Sequence, residues 1–155
     1  MRVSAKADYA VRAAAELARA ADDGRPVKGE KIAEAQGIPL NFLENILGDL
    51  RQAGIVRSQR GPEGGYWLAR PADEISVADV MRAVEGPLAA VRGEAPEELE
   101  YKGAAESLQR VWIALRTNIR GVLEHVSLAD IARDELPTGV ATLAEEPDSW
   151  KTRRG

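Results

Sequence analysis

From residue 30 to residue 70 the chain sets out a short helical run, a three-residue break, a longer helical run and then a hairpin punctuated by glycine and proline, and few folds accommodate that order. Glu30 to Gln36 reads as a short helix and Gly37-Ile38-Pro39 as a tight turn. A longer helix opens with Pro39 in its first turn, where the missing N–H costs nothing. Its inward stripe is Leu40, Leu43, Ile46, Leu47 and Leu50, recurring at three and four. Short helix, glycine-containing turn and longer helix are the outline of a helix-turn-helix. Gly54 closes the second helix; Ile55 to Gln59 and Tyr66 to Arg70 then read as strands around a Gly/Pro turn. A hairpin directly after such a helix pair is a wing. The expected fold is therefore mainly α with a small β-hairpin wing.

The residue types exposed by this arrangement suit base edges. At 100° per residue, Asn41, Asn45 and Gly48 fall opposite the leucine stripe, flanked by Phe42 and Glu44. Asn can pair bidentately with adenine, Glu can accept from cytosine N4, and Phe can rest on a thymine methyl. An ordinary solvated helix face contains the same residue types, so the wing decides. Its glycines, Gly61 among them, let the tip approach a sugar-phosphate edge, and Arg60 at the tip suits a narrow minor groove, where negative potential is strongest.

The net charge of -4 seems wrong for a partner made of phosphates until it is divided by position. Residues 1–71 carry 11 Lys/Arg against 9 Asp/Glu, whereas residues 72–155 carry 10 against 16. From Arg51 to Arg70 the basic residues are Arg51, Arg57, Arg60 and Arg70, against Glu63 alone. That is a local footprint for phosphates, or equally a hairpin with ordinary surface arginines. No apolar run reaches the roughly 18 residues of a membrane span, and nothing at the start reads as a secretion signal, so a cytoplasmic protein is expected.

On the N-terminal side, Ser4 precedes a helix whose apolar stripe is Val3, Ala7, Ala10, Val11, Ala14, Leu17, Ala18 and Ala21, ended by Asp22-Asp23-Gly24. Further along, Ser76-Val77-Ala78-Asp79 and Ser127-Leu128-Ala129-Asp130 are two capping-box-like helix starts, alike in cap chemistry rather than as an internal repeat. Between them, roughly over residues 104–125, Leu108, Val111, Trp112, Leu115, Ile119, Val122, Leu123 and Val126 keep three-and-four spacing. So long a stripe needs a partner, either elsewhere in its own chain or in a second copy. The stretch 136–155, with Pro137, Pro147 and Arg153-Arg154, reads as a poorly ordered tail or a docking segment.

Taken together, these segments resemble the Rrf2 family of winged helix-turn-helix transcription regulators. The similarity rests on Met1 to Arg12, on Ile38 to Gly54 with Phe42-Leu43-Glu44 and Leu50-Arg51-Gln52-Ala53-Gly54, on Arg60-Gly61-Pro62-Glu63-Gly64-Gly65-Tyr66, and on Val84-Glu85-Gly86-Pro87. It covers residues 1–87 in register and implies a DNA-binding domain there, with a linker and dimerisation helices over 88–135 and a flexible tail over 136–155. Asn41, Phe42 and Glu44 would read bases in the major groove, with Asn45 beside them, and Arg60 would probe the minor groove. Arg2, Lys6, Lys28 and Lys31 join Arg51 and Arg57 as candidate phosphate contacts. The resemblance also implies a homodimer, paired through the long helix, on a palindromic operator of double-stranded DNA. At Pro39, where members often carry a capping Ser, a DNA contact is lost.

Members that sense redox state or nitric oxide carry three cysteines after the Gly-Pro exit, whereas this chain has no cysteine at all. Without thiolates an iron-sulfur cluster lacks its donors, and no metal or other cofactor is expected. His125, the single histidine, reads as a surface residue, and Glu94, Glu97, Glu98 and Glu100 as a solvated acidic loop rather than a cation site. The arrangement resembles a cluster-free branch that represses cysteine and sulfur-assimilation genes. That implies a repressor signalled by a small molecule or by a partner enzyme such as cysteine synthase. Ser, His and acidic residues all occur, but no nucleophile elbow or phosphate loop accompanies them, so no enzyme is expected. The rival reading is a protein-interaction module whose winged helix docks an enzyme or polymerase subunit.

Overall fold

A computed structural model describes residues 1–154. Its elements run α1 (Ala5–Arg19), α2 (Gly29–Gln36), α3 (Leu40–Gln52), β1 (Val56–Gln59), β2 (Gly65–Leu68), α4 (Val77–Glu85), α5 (Leu108–Leu123), α6 (Leu128–Ala132) and α7 (Thr138–Glu145), with short 3-10 turns between. The two strands form one antiparallel hairpin, Val56 opposite Leu68 and Gln59 opposite Gly65. The fold is the mainly helical winged helix-turn-helix that the pattern of residues 30–70 required.

The core lies where α1 crosses α3, α4 and α6. Helix α1 buries Ala7, Ala10, Ala13, Ala14 and Leu17. Four alanines on one face let neighbouring helices approach closely, and the larger side chains come from those neighbours: Leu43, Ile46, Leu47 and Leu50 of α3, Val80 and Val84 of α4, and Leu128 of α6. Ser4 caps α1 by accepting from the Ala7 N–H, as expected. Its hydroxyl also donates to the Glu85 carboxylate, joining the start of α1 to the end of α4.

Both capping boxes form, and they form side by side. Ser76 and Ser127 bridge as antiparallel partners. The Val77 N–H donates to Val126 and the Leu128 N–H to Ile75, both at 2.9 Å. Similar caps at distant positions thus place two helix starts against each other and return the chain to α1 after its excursion through α5.

Several expectations need correcting. Val3 lies ahead of the Ser4 cap and is 71% exposed, Ala21 lies beyond the helix, and Ala13 takes a core place that the expected stripe missed. Pro39 is the residue before α3 rather than its first turn, which leaves Leu40 at the fraying start and 37% exposed. Helix α6 buries Leu128 and Ala129, and Leu128 joins the core formed by α1, α3 and α4. The run expected from about residue 104 begins as a 3-10 turn, Gly103–Ala105, and becomes α-helical only at Leu108. Within the stretch 136–155, expected as a poorly ordered tail or a docking segment, Thr138–Glu145 is helical. That helix is closed by the Pro147–Trp150 turn, whose Trp150 indole donates to the Ala144 carbonyl. No residue of α7 is buried, so the helix adds order without adding core.

Candidate nucleic-acid interface

The wing depends on two glycines at its turn. Gly64 donates its N–H to the Gly61 carbonyl at 2.9 Å, closing the tip. A methyl group at Gly64 would lie 2.2 Å from the Gln59 carbonyl oxygen, and one at Gly65 would lie 2.6 Å from the Val27 carbonyl oxygen. Both neighbours are backbone and cannot swing aside. Gly65 opens the way to a feature the sequence reading missed: Val27 pairs with Tyr66 by two 2.8 Å hydrogen bonds, one in each direction. A single residue carries no strand periodicity, so only the steric demand on Gly65 could have signalled it. The pairing fixes the wing to the entry of α2.

That attachment creates a groove of about 320 Å³ between the start of α2, the outer side of α3 and the inner face of the wing. Lys28, Glu44, Arg51, Ser58, Arg60 and Gly61 contribute to its lining. The start of α2 has no side-chain cap, so its first N–H groups remain available to an oxyanion, with the positive end of the helix dipole behind them. Arg51 reaches across to the Ser58 hydroxyl at 3.3 Å, which holds its guanidinium at the wing side of α3.

Of the residues singled out from sequence, Lys28, Glu44, Arg51, Arg60 and Gly61 meet in this groove. Asn41, Phe42 and Asn45 are exposed on α3 outside it, and Lys31 is exposed one turn along α2. Arg57 stands cross-strand from Trp67, on the face opposite Ser58 and Tyr66, and does not line the groove. Lys6 is engaged elsewhere, bonding Asp49 of α3 at 2.8 Å, so it ties α1 to the longer helix instead of offering a free ammonium. Among the described residues, Lys28, Lys31, Arg51, Arg57 and Arg60 have no carboxylate within ion-pair distance. Three of these cations, Lys28, Arg51 and Arg60, line the groove of a chain whose total charge is negative.

A supporting layer behind α3 was also missed. The Phe42 ring, 49% exposed, meets the edge of Tyr9 at 6.2 Å and an interplanar angle of 87°. The Arg12 guanidinium sits 5.2 Å from the Tyr9 ring centre, bonds Asp8 at 2.9 Å, and donates to both the Gln36 side chain and its carbonyl at the end of α2. Helix α1 thus braces the exposed ring and the turn between the two helices at once. The signal was Tyr9 and Arg12 lying off the alanine stripe at three-residue spacing.

The family model for Rrf2, described as an iron-dependent transcriptional regulator, matches residues 3–134. The HTH-type transcriptional regulator Rv1287 of Mycobacterium tuberculosis is 54% identical over 154 residues, spanning 99% of this chain and 95% of its own. The structure of CymR, the global cysteine regulator of Bacillus subtilis, superposes with a TM-score of 0.73 at 32% identity, covering 86% of this chain and 98% of that one. The structure of IscR from T. potens does so with a TM-score of 0.70 at 32% identity, covering 99% and 94%.

The family description names iron, and a sulfur-ligated iron centre needs thiolate donors. The chain offers no cysteine. Among the described residues no three His, Asp or Glu side chains gather at metal-ligand spacing, and Glu97, in the loop after Pro87, is engaged by Arg116 at 2.5 Å. These residues do not fit a sulfur-ligated centre.

Proposed function

The chain belongs to the Rrf2 family of helix-turn-helix transcriptional regulators and is not an enzyme, and from that premise we propose that it binds a palindromic double-stranded operator as a homodimer and represses by occluding a promoter. In this reading residues 1–87 form the DNA-binding domain, joined by α6. Asn41, Phe42, Glu44 and Asn45 meet base edges in the major groove, and Arg60 with Gly61 meets the minor groove. Arg51, Arg57, Lys28 and Lys31 take phosphates, and Lys6 acts indirectly by holding α3 through Asp49. The observation that carries this reading is the groove in which an uncapped helix start, the longer helix and the wing converge around cations that have no carboxylate partner.

Support for a dimer comes from α5. None of its residues is buried, and Val111 is 52% exposed, although Leu108, Trp112, Leu115, Ile119, Val122 and Leu123 keep an unbroken apolar stripe. Its polar ties to its own chain include Gln109, which donates to the Leu99 carbonyl at 2.7 Å, the Trp112 indole, which donates to the Tyr101 hydroxyl at 3.0 Å, and the Arg116–Glu97 pair. Pairing with a second α5 would cover the stripe and set two recognition helices on one DNA face. The proposed signal is cluster-free because the thiolates are missing, and control of sulfur or cysteine genes is suggested by the likeness to a global cysteine regulator.

The test is selection of binding sites from random duplexes, followed by titration of the selected site against salt. An inverted repeat whose affinity falls steeply with salt is expected, since a dimer neutralises on the order of 6–10 phosphates. Arg60→Ala should weaken that binding. No enriched sequence, with a partner enzyme or polymerase subunit retained in pull-downs, would instead establish the winged helix as a protein-docking module.

A further inference from the structure

Val27 takes up both backbone bonds that Tyr66 directs away from the hairpin, and the added pairing ends there. In an antiparallel ladder, alternate facing pairs exchange both bonds. The Ala69 N–H reaches the Ile55 carbonyl at 2.8 Å, so Tyr66 and Leu68 are the β2 residues whose N–H and C=O point outward. Arg25 would be the next partner, opposite Leu68, but no backbone bond joins the two. The chain instead reaches Arg25 from the end of α1 through Gly24, whose φ is 64°. Among the described residues Leu68 is left with a backbone donor and acceptor at an open sheet edge.

A hollow of about 420 Å³ opens where the two strands part. Ala20, Ala21, Pro26, Pro71 and Ala72 give it apolar walls, and Arg25 and Arg70 also line it. No aspartate or glutamate does. Asp22, Asp23, Asp73 and Glu74 are close in sequence, in the 3-10 turns Ala21–Asp23 and Ala72–Glu74. Even so, neither arginine has a carboxylate within ion-pair distance among the described residues. Asp23 lines the adjoining surface beside Arg25, where Lys28 and Lys31 outnumber it. The hollow therefore carries two positive charges and no negative one.

We propose that the edge at Leu68 accepts an extended acidic segment of a second protein. One residue of that segment exchanges both backbone bonds with Leu68, and its carboxylates meet Arg25 and Arg70. In strand addition the main-chain bonds supply affinity and the side chains selection. Charged side chains guard sheet edges, and two guanidiniums repel a basic strand while admitting an acidic one. A free anion would satisfy the arginines but not the N–H and C=O of Leu68 together, and a sugar-phosphate chain has no amides to offer them. The added strand is short, because Val27 blocks the edge at Tyr66 and Pro71, which has no N–H, ends it on the other side. Only Gln59 and Tyr66 line both this hollow and the groove of α2, α3 and the wing, so a partner here leaves the groove free. The site stands whether or not that groove reads DNA.

The experiment presents the full chain with a pool of capped pentapeptides Glu-X-Glu-X-Glu, X being any uncharged residue, beside the corresponding Lys-X-Lys-X-Lys pool. Enrichment from the acidic pool alone is expected, with saturable binding of the enriched peptide by fluorescence anisotropy. Along an added strand only alternate amides face the edge. N-methylating the X amides and N-methylating the glutamate amides should therefore differ, one set abolishing binding and the other leaving it within a few-fold. Arg25→Gln and Arg70→Gln should each weaken binding several-fold and the double variant about tenfold or more. Both arginines are exposed and make no ion pair, so the variants should fold, which their melting temperatures check. No enrichment from the acidic pool, or equal effects of the two methylation patterns, would overturn strand addition. A parallel loss of operator affinity in the arginine variants would assign those residues to DNA instead. Equally tight binding of a peptide of residues 144–149, the chain's own acidic stretch, would seat a second copy there and refute the choice of another protein.

Discussion

Replacing Gly64 by alanine asks whether the shape of the wing tip sets DNA affinity. The added methyl carbon would lie 2.2 Å from the Gln59 oxygen, 2.8 Å from the Arg60 carbonyl carbon and 2.9 Å from that of Gln59. Carbon contacts become favourable only near 3.5 Å, so the strand ends must part by about 1 Å. Overpacking of this kind costs about 1–3 kcal/mol where the surroundings are rigid. Here residues 60–63 are exposed, and the tip can open, so the loss of folding stability should lie near the lower bound. What opening does is carry Arg60 away from the groove that it lines with Lys28, Glu44 and Arg51. Losing one charge-assisted contact is worth about 1.5–3 kcal/mol, or roughly 10- to 100-fold in Kd. The assay is fluorescence anisotropy with the selected operator at several salt concentrations, beside a thermal melt. Gly64→Ala should melt within a few degrees of the parent, bind at least about tenfold more weakly, and show a shallower salt slope. Parental affinity and slope in a folded Gly64→Ala protein would refute the argument that closure at Gln59 and Arg60 positions the tip.

Three further perturbations test other links. Tyr9→Leu removes the edge contact that braces Phe42, worth about 0.5–1.5 kcal/mol, and should reduce discrimination at one base pair of each half-site by a few-fold while Tyr9→Phe preserves it; equal loss at every position would deny Phe42 a reading role. Leu115→Glu puts a charge in the α5 stripe and should turn the proposed dimer into a monomer in sedimentation without lowering helical content; an unchanged dimer mass would mean that another face pairs. Glu97 is held below its ordinary value of 4.5 by its backbone hydrogen bond and then by Arg116, so its stabilising contribution is present above about pH 4.5 and is lost as pH falls through the lower folded value. Glu97→Gln should flatten that acid limb of the melting temperature against pH, and an identical limb would show that the pair contributes nothing measurable.

How legible the fold was depended on whether a residue's role is local. The caps at Ser4, Ser76 and Ser127 use atoms two or three residues away, and each formed as read. The stripe of α3 was right at Leu43, Ile46, Leu47 and Leu50 and failed at Leu40, where the helix has only begun and the side chain has no turn before it to lie on. The candidate site was legible in residue type and less so in partnership. That Lys6 belongs to Asp49, that Arg57 points away from Ser58, and that Tyr9 supports Phe42 are consequences of α1 crossing α3 and of strand alternation, which no spacing within a single segment reports.

The division of charge also bears on how such a protein would find its site. Residues 1–71 have a small excess of cations and residues 72–155 a larger excess of acids, so the whole carries -4. At distances beyond the Debye length, about 8 Å at physiological ionic strength, phosphates are not drawn to a chain with that total. At shorter range they meet Lys28, Arg51 and Arg60, which among the described residues have no carboxylate within ion-pair distance, although Glu30 and Glu44 line the same groove. The expected consequence is that attraction depends on the groove being presented face-on and that the acidic half suppresses sequence-independent binding in other orientations. Moving acidic residues off that half should therefore raise affinity for random DNA more than for the operator. Adding Lys–Glu pairs of zero net charge there should do neither. Competition titrations against random duplex distinguish the two: equal gains for both DNAs on removing Glu135, Glu145 and Glu146 would mean that the acidic half merely lowers all binding and contributes nothing to selectivity.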